Sequence, residues 1–200
     1  MKVHDVLGRK DYALISKMIP TGSRVLDLGC GDGALLAFLK ETKQIEARGI
    51  ELNREMVQAA IARGVSVYQG DLEDSLREYP DKAFDYVLLS QTVQETRRPL
   101  AVITEMLRIG SHAVIAFPNF GHWRVRVSHL TSGRAPKTHL FPHAWHASPN
   151  IHFLTVLDFE ELAREQNWVV ERRLFLSGTR RISQFPNLRA EIAVYSLRRG

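Results

Sequence analysis

A spaced-glycine turn and the acids that follow it are the groups in this sequence that could bind and position a ligand. Gly29, Gly31 and Gly33 lie between an apolar run and a helical pattern. Glycine tolerates positive φ and lets a ligand approach the backbone N–H groups that the first turn of a helix leaves unpaired. Downstream, the Glu51 carboxylate could accept hydrogen bonds from both hydroxyls of a ribose, and Asp71 from an exocyclic amine such as that of adenine. These residues predict a site for a nucleoside-containing ligand.

A further acid, Asp27, lies two residues before the first glycine and indicates which charge the ligand carries. A carboxylate in the turn repels phosphate groups, whereas it attracts an amino group or a sulfonium. We therefore expect a cationic ligand rather than a bare pyrophosphate. Each of these residues also has a possible structural role that does not involve a ligand. The glycines could only tighten the junction between strand and helix, Asp27 could cap its own turn, Glu51 could be a solvated strand end, and Gly70-Asp71 is a common turn pair.

The elements that must hold these residues alternate between strand and helix. Apolar runs predict the strands, helical spacing predicts the helices, and connections of this length specify a parallel sheet with helices on both faces. We predict strands over 24–28, 46–51, 65–69, 84–89 and 112–117, intervening helices over 34–40, 54–63 and 99–108, a flanking helix near 12–19, a later helix over 155–166, and a closing antiparallel pair over 168–176 and 190–197.

We therefore expect a single α/β domain over residues 1–200. Its doubly wound, mostly parallel, Rossmann-like sheet would have seven strands with a terminal antiparallel strand. In such sheets ligands bind beyond the carboxyl ends of the strands. Ser90 and Gln91, which follow the fourth predicted strand, therefore join the candidate site.

Residues 119–152 interrupt the alternation, and we expect them to form an insertion over the sheet edge where ligands enter. The segment holds six histidines but no Asp, Glu or Cys, and no two histidines fall on a predicted helix as a clean ligand motif. We therefore expect no metal site, although His122 or His143 could supply a base. The aromatic residues of the segment indicate a recognition surface, since tryptophan beside arginine is favoured at protein interfaces. They are Phe120, Trp123, Phe141 and Trp145.

The composition argues against several classes of protein. Of the 200 residues 44% are hydrophobic, without a run long enough for a membrane span, so we expect a soluble cytoplasmic protein with no membrane partner. The first twelve residues are charged and broken by Gly8, unlike a signal peptide. The single cysteine, Cys30, cannot form an internal disulfide and is expected to pack rather than to react. The net charge of +5 comes from late arginines without a nucleic-acid-binding motif, which disfavours a nucleic-acid partner.

The motif series VLDLGCGDG, Glu51, GDLED and FDYVLLSQTVQE resembles that of class I S-adenosylmethionine (SAM)-dependent methyltransferases over about residues 20–120. The resemblance implies a site for SAM or S-adenosylhomocysteine (SAH). In that site Gly29 and Gly31 would lie at the amino-acid end of the cofactor and Glu51 at its ribose.

The same pattern implies that Asp71 and Leu72 flank the adenine and that Ser90 and Gln91 lie near the methionine moiety. Many small-molecule methyltransferases place a histidine after the fourth strand, whereas this chain has SQTVQE there, so methyl transfer stays open. The candidate cofactor-binding residues are Asp27, Gly29, Cys30, Gly31, Glu51, Leu52, Asp71, Leu72, Ser90 and Gln91.

Three later segments, FPNFGHWRVR, LFPHAWHASPNIH and FLTVLDFEEL, are similar to the MetW family of methionine biosynthesis, and this likeness spans nearly the whole chain. That family is associated with homoserine O-acyltransferase, the α/β-hydrolase enzyme that transfers a succinyl or acetyl group to homoserine. The resemblance implies a methyltransferase-like subunit that binds SAM or SAH and activates or regulates that enzyme in a hetero-oligomer. A methyltransferase with a small or lipid-like acceptor, lidded by residues 119–152, is the alternative, and a nucleic-acid methyltransferase is a third, weaker one.

Overall fold

The computed structural model describes residues 11–200, so the prediction about a signal peptide falls almost wholly outside the described residues. Over residues 11–200 the chain forms eight strands. They are β1 (Arg24–Leu28), β2 (Glu46–Glu51), β3 (Ser66–Gln69), β4 (Phe84–Ser90), β5 (Gly110–Pro118), β6 (Val169–Ser177), β7 (Arg180–Arg181) and β8 (Ile192–Arg198).

These strands form one sheet in the order β3-β2-β1-β4-β5-β8-β6-β7. Strands β1 to β5 are parallel, whereas β8 runs antiparallel to both of its neighbours, β5 and β6. This confirms the predicted doubly wound, mostly parallel α/β fold with an antiparallel strand near the chain terminus. Beyond the seven expected strands, the two-residue β7 pairs with the end of β6.

Helices cover both faces of the sheet. They are α1 (Tyr12–Ser16), α2 (Ala34–Lys43), α3 (Arg54–Ala62), α4 (Leu72–Ser75), α5 (Pro99–Ile109), α6 (Trp123–Ser132), α7 (Val156–Glu165) and α8 (Pro186–Arg189), with 3₁₀ turns at Leu76–Glu78 and Val93–Glu95. Asn53 caps α3, and Thr155 and Asp158 form a capping box at the start of α7.

Two apolar clusters, one on each side of the sheet, make up the core, and the strands supply them by strict alternation. Along β4, Val87 and Leu89 pack with α5 and α7, whereas Leu88 between them packs with α1 and α2. Such alternation is the period of a strand buried on both faces. Because β1 to β5 are parallel, their carboxyl ends all lie at one edge, where the candidate residues collect.

Candidate functional site

A cavity of about 660 Å³ lies at the carboxyl ends of β1, β2, β3 and β4. Five of the ten predicted binding residues line it, namely Gly29, Glu51, Leu52, Asp71 and Leu72. Sequence reasoning missed the rest of the lining, which is Ile50, Asn53, Gly70, Glu73, Thr92, Glu95, Thr96 and Arg97. Several of these adjoin a strand end, so position relative to the strands was the available signal for them.

The glycine turn and the end of β2 are held together by Glu51. Its Oε2 accepts a hydrogen bond from the Gly31 amide and its Oε1 accepts one from the Asn53 amide, each at 2.8 Å. A carboxylate oxygen can accept more than one hydrogen bond, so both oxygens retain capacity toward the cavity. Glu51 therefore has a structural role in the turn and still has a carboxylate that fits a pair of ribose hydroxyls.

Gly29 has no Cβ, and this leaves room for Thr92 to lie against the glycine turn. Its φ is +68°, and a Cβ built on it would lie 2.8 Å from Thr92 Cγ2. Thr92 belongs to the segment that follows β4 and also lines the cavity. The close approach of this segment to the turn brings the ends of β1 and β4 together around one space.

Asp71 has two partners within the protein. Its Oδ1 caps α4 by accepting from the Glu73 amide at 2.9 Å, and its Oδ2 accepts from Arg97 Nη2 at 2.8 Å. Asp71 therefore has a structural role, as a helix cap rather than only the turn residue that the sequence left open, and it also lines the cavity. A ligand amine at this position would share the carboxylate with the Arg97 guanidinium.

Two further acids belong to the lining. Burial tends to raise the pKa of Glu73, but hydrogen bonds from the Arg98 side chain and from the Arg97 and Arg98 amides outweigh it, so that pKa is lowered. For Glu95 burial dominates, and with the nearby Glu51 carboxylate it raises the pKa, whereas His143 acts in the opposite direction. The insertion residue His143 is therefore close enough to influence a carboxyl of the cavity.

The charge of the lining supports a cationic ligand. Four carboxyl groups, of Glu51, Asp71, Glu73 and Glu95, line the cavity with one guanidinium, of Arg97, which pairs with Asp71. The Arg98 guanidinium pairs with Glu73 from outside the lining, so carboxyl groups still outnumber guanidinium groups by four to two. Such a wall attracts an ammonium or a sulfonium and repels phosphate. With the Gly29 cradle and the Glu51 oxygens, the residues present fit a sulfonium nucleoside.

The other five predicted residues lie beside the cavity rather than in its lining. Asp27 is buried in β1, and Gly31 reaches the site through its bond to Glu51. Ser90 Oγ donates to Asp11 at 3.0 Å. Gln91 has a φ of +60°, and its buried Nε2 has no hydrogen-bond partner among residues 11–200.

Cys30 packs against the backbone of β2. A Cβ on Gly49 would come within 2.5 Å of its sulfur, so the cysteine occupies the space that this glycine leaves. Burial, with the nearby carboxylate of Asp27, raises the pKa of the thiol far above its ordinary value. A thiol held protonated is a poor nucleophile, in keeping with the predicted packing role.

The insertion is hydrogen-bonded to the rim of the cavity. The Gln94 carbonyl, in the 3₁₀ turn after β4, accepts from the amides of both Ile151 and His152. His122 is buried and caps α6, its Nδ1 accepting from the Arg124 amide, and burial lowers its pKa. The predicted aromatic surface divides in two. Phe120 and Phe141 pack with Phe153, whereas Trp123 and Trp145 are exposed.

Two negative findings apply to residues 11–200. No group of three or more His, Cys, Asp or Glu side chains there is arranged to hold a metal ion. No helix in that range is both long and apolar enough to cross a membrane.

The profile of one protein family, described as methionine biosynthesis protein MetW, matches residues 9–197. The chain belongs to the MetW family. It is 36% identical, over 98% of its length, to the bifunctional methionine biosynthesis protein MetXA/MetW of Rhodopirellula baltica, of which the match covers 33%. It is also 33% identical to ajmaline N-methyltransferase of Rauvolfia serpentina, over 44% of this chain and 32% of that enzyme. The chain thus spans about a third of the length of these relatives.

Several solved structures with the same fold are described as SAM-dependent methyltransferases. One from Thermotoga maritima has a TM-score of 0.69 at 17% identity, covering 98% of this MetW-family chain and 92% of that protein. Another, from Archaeoglobus fulgidus, has a TM-score of 0.67 at 16% identity, covering 98% and 99%. At 16–17% identity, these comparisons show that this chain shares the methyltransferase fold with both proteins, and they give no information on its activity or substrate.

Proposed function

We propose that this MetW-family protein binds SAM or SAH in the 660 Å³ cavity and acts as a regulatory partner of a homoserine O-acyltransferase in the cytoplasm. The observation that carries the proposal is the Rhodopirellula baltica relative, in which a region 36% identical to this chain makes up one third of a polypeptide named MetXA/MetW. The proposal takes the MetXA unit of that polypeptide to be the homoserine O-acyltransferase. Fusion of two units in one chain keeps them at high effective concentration, which favours pairs that act together.

The chemistry of the cavity supports the choice of cofactor. SAM carries a ribose, an adenine, a sulfonium and, at its amino-acid end, an amino group and a carboxylate. The Glu51 oxygens fit the ribose hydroxyls, and the surplus of carboxylates fits the two cationic groups. When bound, SAM would offer an electrophilic methyl group. The protein's own residues would bind and orient the cofactor.

The hydrogen bonds of Gln94 offer a route by which the cavity could influence the partner. The 3₁₀ turn Val93–Glu95 supplies Glu95 to the cavity wall, and the adjacent Gln94 carbonyl holds residues 151 and 152 of the insertion. A ligand that moves this turn would move the insertion. Coupling of this kind requires the ligand to have different affinities for the free and the partner-bound protein, and by linkage the partner must then change the affinity for the ligand equally.

Purification of the untagged protein from its own cells, followed by mass identification of co-eluting proteins and nucleotides, tests this function. We expect an acyltransferase to co-elute, with SAM or SAH bound. Recovery of a ligand-free monomer that transfers methyl groups once SAM is added would overturn the proposal.

That second outcome would favour the alternative, a methyltransferase acting on a small-molecule acceptor. The observation in its favour is the partial likeness to enzymes such as ajmaline N-methyltransferase, confined to less than half of this chain. The two functions separate on one readout, because only the alternative consumes SAM in the absence of an acyltransferase.

A further inference from the structure

We propose that the outward side of α6 is the surface on which the acyltransferase docks. This inference rests on the proposed function and adds the location of the interface. Three residues, Trp123, Val127 and Leu130, form this surface, which we call the α6 face. They are spaced i, i+4 and i+7, so at about 100° per residue they lie within roughly 60° of one another around the helix.

The α6 face is apolar and exposed. The exposed fractions are 46% for Trp123, 46% for Val127 and 84% for Leu130. Val125, on the opposite side of the helix, is 2% exposed and is the residue that α6 buries in the protein. The helix therefore places most of its large apolar side chains outward, the reverse of a helix that serves only its own core.

Contacts around α6 hold the face in place before any partner arrives. The Arg124 guanidinium lies 5.3 Å from the centre of the Trp123 ring, a cation–π arrangement. Arg126 Nε donates to the Gly121 carbonyl at 2.6 Å, and the buried His122 ring caps the first turn. A preformed surface loses less entropy on binding, and tryptophan and arginine are the residues that most often dominate interface energies.

The charge around the α6 face selects the kind of partner. Residues 119–152 carry Arg124, Arg126, Arg134 and Lys137 and no carboxylate of their own. The Glu191 carboxylate lies 4.0 Å from the Arg124 guanidinium and offsets part of this charge, so the segment stays basic. The complementary surface is an apolar patch rimmed by Asp and Glu, which we assign to the acyltransferase because a related MetW region shares its polypeptide with a MetXA unit. A second copy of this chain would bring two basic surfaces together, and their repulsion opposes it.

The insertion that carries the α6 face is also the one that Gln94 ties to the cavity rim. Trp145, 80% exposed, lies in the same insertion. Docking and cofactor binding would therefore act on one segment of the chain. A ligand in the cavity can affect docking only if the cavity and the docking surface are connected in this way.

The test compares three proteins in a calorimetric titration with the homoserine O-acyltransferase of the same organism. They are the wild type, Leu130→Asp, and the control Ile61→Asp, which changes a 57% exposed residue of α3, outside residues 119–152. We expect Leu130→Asp to weaken binding about tenfold or more, because it places a charge on an apolar contact opposite an acidic rim, and Ile61→Asp to bind as the wild type does. Urea unfolding and SAH binding report whether each variant is folded.

The outcomes separate the two proposals. If the wild type does not bind the acyltransferase, the proposed function fails and this inference fails with it. If the wild type binds and folded Leu130→Asp binds equally well, the proposed function stands and the α6 face is the wrong surface. If the wild type instead forms a dimer that Leu130→Asp dissociates, a second copy is the occupant and the assignment to the acyltransferase is wrong.

Discussion

Replacement of Glu51 by alanine tests whether its carboxylate binds the ribose of the cofactor. The Glu51 carboxylate accepts from the Gly31 and Asn53 amides at 2.8 Å and faces the cavity with its remaining capacity. We expect Glu51→Ala to weaken SAH binding by about 1–3 kcal/mol, because hydrogen bonds from ribose hydroxyls to a charged acceptor are lost. That loss corresponds to a roughly 5- to 150-fold higher Kd.

The assay is a calorimetric titration with SAH, accompanied by urea unfolding of each protein without ligand. The two amide contacts of Glu51 are partly open to water, which can replace the carboxylate there, so we expect the free energy of unfolding to fall by only about 1 kcal/mol. Glu46→Ala is the matched control, since Glu46 lies at the other end of β2, away from the cavity. A folded Glu51→Ala protein with the wild-type Kd would refute the reasoning and place the ribose elsewhere.

Four further predictions concern the turn, the core and the pH dependence. In urea unfolding, Gly33→Ala should lower the free energy of unfolding by about 2–4 kcal/mol, because φ there is +72° and the new Cβ would lie 2.8 Å from an α3 carbon. Gly31→Ala is the matched control. Its φ is +56° and the space around its Cβ is open, so the loss should be only about 1–2 kcal/mol. Asn119→Ala should destabilise by about 2–4 kcal/mol, since its buried amide donates to two carbonyls and accepts from two backbone amides; thermal unfolding that matches the wild type would contradict this. The pKa of Glu73 is lowered on folding, so its stabilising effect is present above the ordinary glutamate value of about 4.3 and is lost as the pH falls toward the folded pKa. Glu73→Gln should therefore be less stable than the wild type at pH 7, and the urea midpoints of the two proteins should converge as the pH falls through the lowered folded pKa of Glu73. Burial keeps the Cys30 thiol protonated, so iodoacetamide should alkylate it slowly in the native protein at pH 8 and rapidly in denaturant, whereas equal rates would mean that the thiol is accessible.

The sequence predicted correctly those features that depend on local patterns of apolar residues and on position relative to the strands. Apolar runs became strands buried on both faces, and Glu51 could be placed because it ends the second of the predicted strands. Its contact with Gly31 follows from the geometry of two adjacent parallel strands. The fold class and five of the thirteen residues that line the cavity were accessible for this reason.

The features that escaped prediction depend on contacts between distant segments. Helix α6 has no core-facing pattern to detect, because it buries only Val125 and its apolar stripe faces outward. Glu73 would ordinarily be exposed, and its burial depends on the arginine that follows the second 3₁₀ turn. The hydrogen bonds of Gln94 join residues more than fifty positions apart, a separation that no local pattern records.

One measurement tests the central claim directly: the Kd of this protein for the homoserine O-acyltransferase of its own organism, determined without nucleotide and with saturating SAM or SAH. The account predicts binding in both conditions with a Kd that changes by a factor of about five or more, the usual range of a coupling between two sites. Binding with the same Kd in both conditions would contradict the regulatory role of the cavity. No binding in either condition would contradict the partnership itself.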